Sequence, residues 1–261
     1  MKKLLLSFFA ILSLFAGCKK SGNNPSSIGK SYYLSSLIQT DSLGRPYFTT
    51  NYYWDNNMRL DSCSDGYSYS YNGNKISHVK HYSKSGLLGE NDIYQYYDTS
   101  LIIVIYEKNQ NGKMTKNRYY NVHFNSNGQW LSSDQYNYNT DTVNAEIYNK
   151  TLFSYDALGN LINTISYYPK GMNGSSCQDS SNTVITYDSK KCFYSHWPVG
   201  QYTAMFGANN VLSETMSEND CAKGIIKDSY NYSYTYNVDG YPTSGYIKSD
   251  KINLAMTYIV K

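Results

Sequence analysis

YNYSYTYN, from Tyr230 to Asn237, decides the fold. Four tyrosines, Tyr230, Tyr232, Tyr234 and Tyr236, alternate with Asn231, Ser233 and Thr235. A β-strand turns successive side chains to opposite faces, so the tyrosines share one face and the small polar residues the other. Strict alternation of this kind marks a half-buried antiparallel strand. YSYSYN, Tyr67 to Asn72, repeats the ladder with Tyr67, Tyr69 and Tyr71 against Ser68 and Ser70. Tyrosine suits such a strand because its ring is apolar and its hydroxyl reaches water or a backbone carbonyl.

The ladders end in a recurring word: an aromatic residue, then Asp or Asn, and often a glycine soon after. It occurs as WDNN at Trp54, YNGN at Tyr71, YDTS at Tyr97, FNSNG at Phe124, YDALG at Tyr155, YDSK at Tyr187 and YNVDG at Tyr236. Asp and Asn bond back to the local backbone, and glycine accepts the positive φ of a tight turn. The polar positions of these words are separated by 17, 26, 27, 31, 32 and 49 residues. Each interval holds one hairpin with a second turn midway, such as CSDG at Cys63 to Gly66 or NQNG from Asn109. In a meander the two kinds of turn fall at opposite ends of the sheet. The six intervals, with two strands before Trp54 and two after Tyr236, predict about sixteen strands.

A twisted sheet of that width curls, splits or closes. The expectation is an all-β antiparallel meander curled into a barrel-like or half-barrel sheet, with its tyrosine faces inward. The rhythm breaks only in the 49-residue interval, which carries a long connector over residues 190–210. A connector of this length is either functional or held by its own packing.

Composition supports this. The chain has 261 residues, with 31 Tyr against 8 Phe and 3 Trp. Glu and Ala are scarce and Ser, Asn and Thr are frequent, which disfavours helix. The net charge is only +3, and no basic stripe of the kind that neutralises phosphates occurs, so nucleic acid is not an expected partner.

The chain opens MKKLLLSFFAILSLFAGC. Lys2 and Lys3, an apolar run from Leu4 to Ala16 and small Gly17 before Cys18 read as a secretory signal. The run is too short to cross a bilayer as a helix. FAGC resembles a bacterial lipoprotein box, in which the cysteine is lipidated and becomes the mature N-terminus. Residues 1–17 are then a signal peptide, 18–31 a lipidated Cys18 with a polar tether, and 32–261 a single β domain. The expected address is the outer membrane, held through the lipid in either leaflet.

YDALGNL, Tyr155 to Leu161, resembles the YD-type repeat of large RHS shells. A closer resemblance, on the FAGCKK start, the NNVLSETMSEN segment from Asn209 and the YTYNVDGYPTSGYI ending from Tyr234, is to uncharacterised lipoproteins of Bacteroidetes type. Their domain is described as porin-like. The resemblance implies a barrel-like fold and is silent on activity. A membrane-spanning barrel needs an outward apolar band and aromatic girdles, whereas the face opposite these tyrosines is Ser, Asn, Thr and Lys.

No nucleophile elbow, phosphate loop, HExxH or dinucleotide fingerprint occurs, and no cofactor is expected. His78 and His81 fall three apart in a strand and so point to opposite faces. Glu214, Glu218 and Asp220 read as solvated charges near a turn, with Glu214 and Glu218 on one face but too far apart for glycoside hydrolysis. Catalytic and metal residues are therefore not assigned.

Beyond Cys18, four cysteines remain, and an even number in an exported chain is compatible with disulfides. The alternation of turns places the loop with Cys177 and the loop with Cys221 at the same end. Cys177–Cys221 is the expected pair, with Cys177–Cys192 the fallback. The connector supplies Trp197, Tyr202 and Phe206, aromatics suited to stacking on a sugar or a protein partner. The sequence thus reads as a lipid-anchored envelope protein that binds or interacts, with a purely structural envelope role as the alternative and a glycan-acting hydrolase ranked behind both.

Overall fold

The computed structural model describes residues 31–261, apart from 110, 138–145, 170–178, 193–207 and 221–223. Sixteen strands follow in sequence. They are β1 (Tyr32–Thr40), β2 (Pro46–Trp54), β3 (Leu60–Cys63), β4 (Tyr67–Asn72), β5 (Lys75–Tyr82), β6 (Leu88–Tyr96), β7 (Ser100–Lys108) and β8 (Met114–Phe124). Then come β9 (Trp130–Asn137), β10 (Glu146–Tyr155), β11 (Leu161–Tyr167), β12 (Ser180–Tyr187), β13 (Val211–Asp220), β14 (Gly224–Tyr236), β15 (Pro242–Ile247) and β16 (Ile252–Val260).

Each strand pairs antiparallel with the next, and β1 pairs with β16, so the meander closes into a barrel. Closure removes the two free edges that an open sheet would expose. The closing register runs from Tyr32 opposite Val260 to Thr40 opposite Asn253. Ser31 and Lys261 exchange backbone hydrogen bonds, so both ends of the described chain meet at one rim. We call it the terminal rim; the other is the distal rim.

All seven aromatic–Asx words lie at the terminal rim. The tyrosine ladders point inward as the alternation requires. Tyr69 and Tyr232 are buried, while Ser70, Asn231, Ser233 and Thr235 between or beside them are exposed. Every one of the sixteen strands sends a buried apolar residue into one core cluster, from Leu34 on β1 through Val122 on β8 to Leu254 on β16. At this level the interior is packed side chain.

The outward face is polar over most of the barrel. Hydroxyl pairs cross between neighbouring strands at Thr186–Ser213 (2.7 Å), Thr235–Ser244 (2.6 Å) and Ser36–Thr257 (2.9 Å). Exposed apolar side chains include Leu131, Leu152, Ile162, Val184 and Leu212 on β9–β13, and also Tyr47 and Tyr53 on β2, Ile225 and Ile226 on β14, Tyr246 on β15, and Ile259 and Val260 on β16.

The repeated word explains itself in the turns. At Asp55, Asn125, Asp156 and Asn237 the side-chain Oδ1 accepts the backbone N–H two residues on and again four residues on. The residue three on adopts positive φ, as at Gly128, Gly159 and Gly240. The preceding aromatic then ties neighbouring hairpins together. Tyr71 Oη donates to Leu60 O at 2.6 Å and Tyr187 Oη to Leu161 O at 2.7 Å; Tyr258 on β16, which precedes no Asx, makes the same bond to Pro242 O at 2.6 Å. Each of these carbonyls belongs to the residue five beyond an Asx. Asp41 and Asn109 build the same five-residue turn at the distal rim, without the aromatic in front.

Candidate functional site

The connector begins and ends inside one of these turns. Asp188 opens the turn after β12, and its Oδ1 accepts the N–H of Lys190 at 2.9 Å, as the word predicts. The partner expected four residues on is replaced by Asn210, whose N–H reaches the same oxygen at 3.0 Å. Asn210 Nδ2 also donates to Asp188 Oδ2 at 3.1 Å, matching Asn160 Nδ2 to Asp156 Oδ2 at 2.8 Å. Asn209 is locked against the neighbouring turn through its N–H to Asn160 Oδ1. The long segment is thus an insertion into a standard turn at the terminal rim.

Trp197, Tyr202 and Phe206, the connector aromatics expected to bind, lie outside the described residues. So do Cys18, Cys177 and Cys221, and with them the expected Cys177–Cys221 pair. The register brings Ser180 opposite Asn219, so the flanks of those two loops meet at the distal rim. Cys192 is disulfide-bonded, and Cys63, the other described cysteine, is a free thiol, so the partner of Cys192 is one of the undescribed cysteines.

The described residues assemble a second site, under the distal rim on β4–β8. Neighbouring strands place inward side chains in register: Tyr67 opposite His81, His81 opposite Glu90, Glu90 opposite Glu107. One layer deeper, Asp92 stands between Val79 on β5 and Ile105 on β7, and Ile105 faces Arg118 on β8. Tyr67 and His81 stack with ring centroids 4.3 Å apart. Arg118 Nη2 lies 3.0 Å from Glu107 Oε1 and 3.5 Å from Glu90 Oε2. These three side chains are about one-third exposed, at 28–35 %. Asp92 below them is 7 % exposed. Its Oδ1 has no hydrogen-bond partner.

The electrostatics follow from burial. The Asp92 carboxyl is pushed up to about 8, first by desolvation and then by the charge of Glu90. Glu90 is raised by burial, with Arg118 opposing. Tyr67 is pushed to about 12 by burial and then by Glu90. Asp65, nearby at the same rim, is raised by burial and accepts a 2.6 Å bond from Thr50 Oγ1. The basin carries more carboxylate than cation.

Sequence reasoning missed this basin. The signal was present in GENDIYQY, from Gly89 to Tyr96, where Glu90, Asp92, Tyr94 and Tyr96 share one parity. Extending the tyrosine face backwards turns both acids inward. The reading of Glu214 as a solvated charge is also corrected. It is 6 % exposed and faces inward opposite Ile185 and Tyr230, because β13 continues the inward parity of its neighbours. His78 and His81 do point to opposite faces, and only His81 enters the basin. Among the described residues, no group of three or more His, Cys, Asp or Glu is arranged to hold a metal ion.

No family model matches the chain, and no curated protein matches it. Among solved structures it is similar to a porin-like protein from Bacteroides vulgatus, at 12 % identity over 88 % of this chain and 99 % of that one, with a TM-score of 0.48. It is similar to a porin-like protein from Bacteroides uniformis at 10 % identity, covering 87 % and 98 % of the two chains, with a TM-score of 0.39. A protein of unknown function from Bacteroides fragilis matches 43 % of this chain and 86 % of its own at 14 % identity, with a TM-score of 0.36. No residue role is carried over from them.

Proposed function

We propose that this chain is a lipid-anchored binding module of the bacterial cell envelope, held to the outer membrane through Cys18 and folded beside the bilayer rather than through it. The observation that carries the reading is the sidedness of the barrel. Hydroxyl pairs face outward between neighbouring strands, while the ladder tyrosines and a core drawn from all sixteen strands point in. A lipid on the N-terminal tether then supplies the attachment that the barrel wall does not. Stable residence needs more than one acyl chain, which bacterial lipoprotein processing provides.

The tether enters at the terminal rim, where Ser31 pairs with Lys261. The connector is inserted at that same rim, near the membrane. The distal rim and its basin face away from the anchor, open to whatever the envelope presents. Among the described residues, no acid–base pair suited to hydrolysis supports an enzyme. Glu90 and Glu107, the inward carboxylates nearest the mouth, share the Arg118 guanidinium. A structural envelope role is the second reading, favoured by the core cluster that draws on all sixteen strands.

Two measurements test the anchor and the sidedness together. Metabolic labelling with a fatty acid should tag the wild type and not Cys18→Ala. Cys18→Ala should be released as a folded soluble protein. A variant that stays in the membrane fraction and resists alkaline carbonate would place the barrel in the bilayer and overturn the reading.

A further inference from the structure

We propose that the basin under the distal rim binds a small organic cation, a protonated amine carried on an apolar body, with Asp92 as its counter-ion. The proposal deepens the binding-module reading and rests on it. The ligand class follows from what the basin contains. Asp92 Oδ1 is buried, points inward by register and accepts no hydrogen bond. A carboxylate oxygen in that state costs free energy unless a donor meets it. Arg118, opposite Ile105 and so level with Asp92, already gives its guanidinium to Glu90 and Glu107. An anion would meet those two carboxylates and the buried Asp92 carboxyl for that one guanidinium, so charge selects against it.

The walls select the body of the ligand. Val79 and Ile105 flank Asp92 on its two neighbouring strands, and both are buried. Tyr67, stacked on His81, stands nearer the rim. An ammonium group at Asp92 would lie between apolar side chains, with its carbon chain running up toward the mouth. Asp92 is the fifth residue of β6, so it lies about 13 Å below the strand's start at ~3.3 Å per residue. A long alkyl chain spans that depth, and a shorter one reaches part of the way up toward the mouth. The one-third exposure of Glu90, Glu107 and Arg118 marks the way in. A divalent metal is disfavoured because no three ligating groups converge among the described residues.

The protonation state adds a signature. Burial and the Glu90 charge push the Asp92 carboxyl to about 8, so at neutral pH it is mostly protonated. An arriving ammonium favours the carboxylate, so the Asp92 proton is released to solvent as the ion pair forms.

The experiment is calorimetric titration of the purified full-length Cys18→Ala protein with n-hexylammonium, with 1-hexanol, hexanoate and calcium run as comparisons. Saturable binding of hexylammonium alone is expected, with a buffer-dependent enthalpy reporting proton release at pH 7. Asp92→Asn, close in shape and uncharged, should weaken it at least tenfold. Glu107→Gln at the exposed mouth should weaken it by only about threefold, which keeps the test open if Asp92→Asn fails to fold. Equal binding of hexanol, tighter binding of calcium, or unchanged affinity in Asp92→Asn would each overturn the proposal. No binding of any probe would also overturn it. The fatty-acid label on Cys18 reports the envelope reading separately, so a silent basin in a labelled protein sinks this inference alone.

Discussion

Asn210 closes on Asp188 as Asn160 closes on Asp156, although one pair is 22 residues apart and the other 4. Both asparagines give their N–H to the Asp Oδ1 and their side-chain amide to Oδ2. Tyr236 Oη also donates to Asp188, which ties the inserted turn to β14.

That relationship makes the connector separable. Replacing residues 189–209 with Ala-Leu-Gly rebuilds the Asp156–Asn160 turn at Asp188. Shortening the loop from 21 residues to 3 returns ~1.7 kcal/mol of closure entropy. Against this stand the Asn209 bonds to Asn160, the burial of Cys192 at 1 % exposure and the loss of the Cys192 disulfide, which alone costs roughly 2–4 kcal/mol. The losses outweigh the gain. The expected protein keeps the β-type far-UV spectrum and melts about 5–10 °C below the parent. An unfolded product would make the connector part of the core.

Gly66 is the least replaceable turn residue. It lies at φ +92°, and a Cβ there would meet Tyr82 O at 2.2 Å. That oxygen is backbone, and Tyr82 N–H is bonded to Gly66 O. Neither side yields without breaking the β4–β5 end. Gly66→Ala should cost more than ~2 kcal/mol, while Gly44→Ala, also at positive φ but with open space around it, should cost about 1 kcal/mol. Denaturant melts of the two variants check the difference.

The tyrosine parity made most of this fold legible. Sixteen strands, the inward faces and the alternating rims all follow from period two and seven turn words. What the words could not show is how the sheet ends. Closure depends on the register of β1 against β16, between residues more than 200 positions apart, and nothing local in Tyr32–Thr40 encodes its partner. The basin was half legible. Glu90 and Asp92 follow the Tyr94 parity, but Arg118 and Glu107 join them only through the register of β6, β7 and β8. A strand bulge between Ile105 and Tyr106 shifts the Arg118 pairing, and no residue there announces it.

Cys63 should be a silent thiol. It is inward on β3 opposite Tyr52, 9 % exposed, and burial pushes its pKa up. The thiolate is the reactive form, so both access and ionisation are suppressed. Iodoacetamide at pH 8 should leave Cys63 unmodified in the folded protein and alkylate it fully in guanidinium. Rapid labelling of the native state would show that the β2–β3 end opens.

Asp92 should make the barrel less stable as pH rises from about 4 to 8. Its folded carboxyl titrates near 8, against 3.8 for the ordinary group. Below pH 4 the group is protonated in both folded and unfolded chains, and its contribution is fully present. Between 4 and 8 the unfolded chain ionises while the fold retains the proton, so stability falls at up to about 1.4 kcal/mol per pH unit. Above 8 both forms are charged and the loss levels off. Glu90 is raised by burial as well and adds a loss of the same sign. His81, Glu107 and Arg118 also face the basin, and the Arg118 charge opposes the rise at Asp92 and Glu90. Asp92→Asn cannot ionise, so it isolates the Asp92 share. Relative to wild type it should gain about 2 kcal/mol or more on going from pH 4 to pH 8, with the gap levelling off by about pH 9. Urea melts of both proteins across that range measure the gap. A constant difference at all pH values would mean that Asp92 titrates alike in the folded and unfolded chains, and that burial does not raise it.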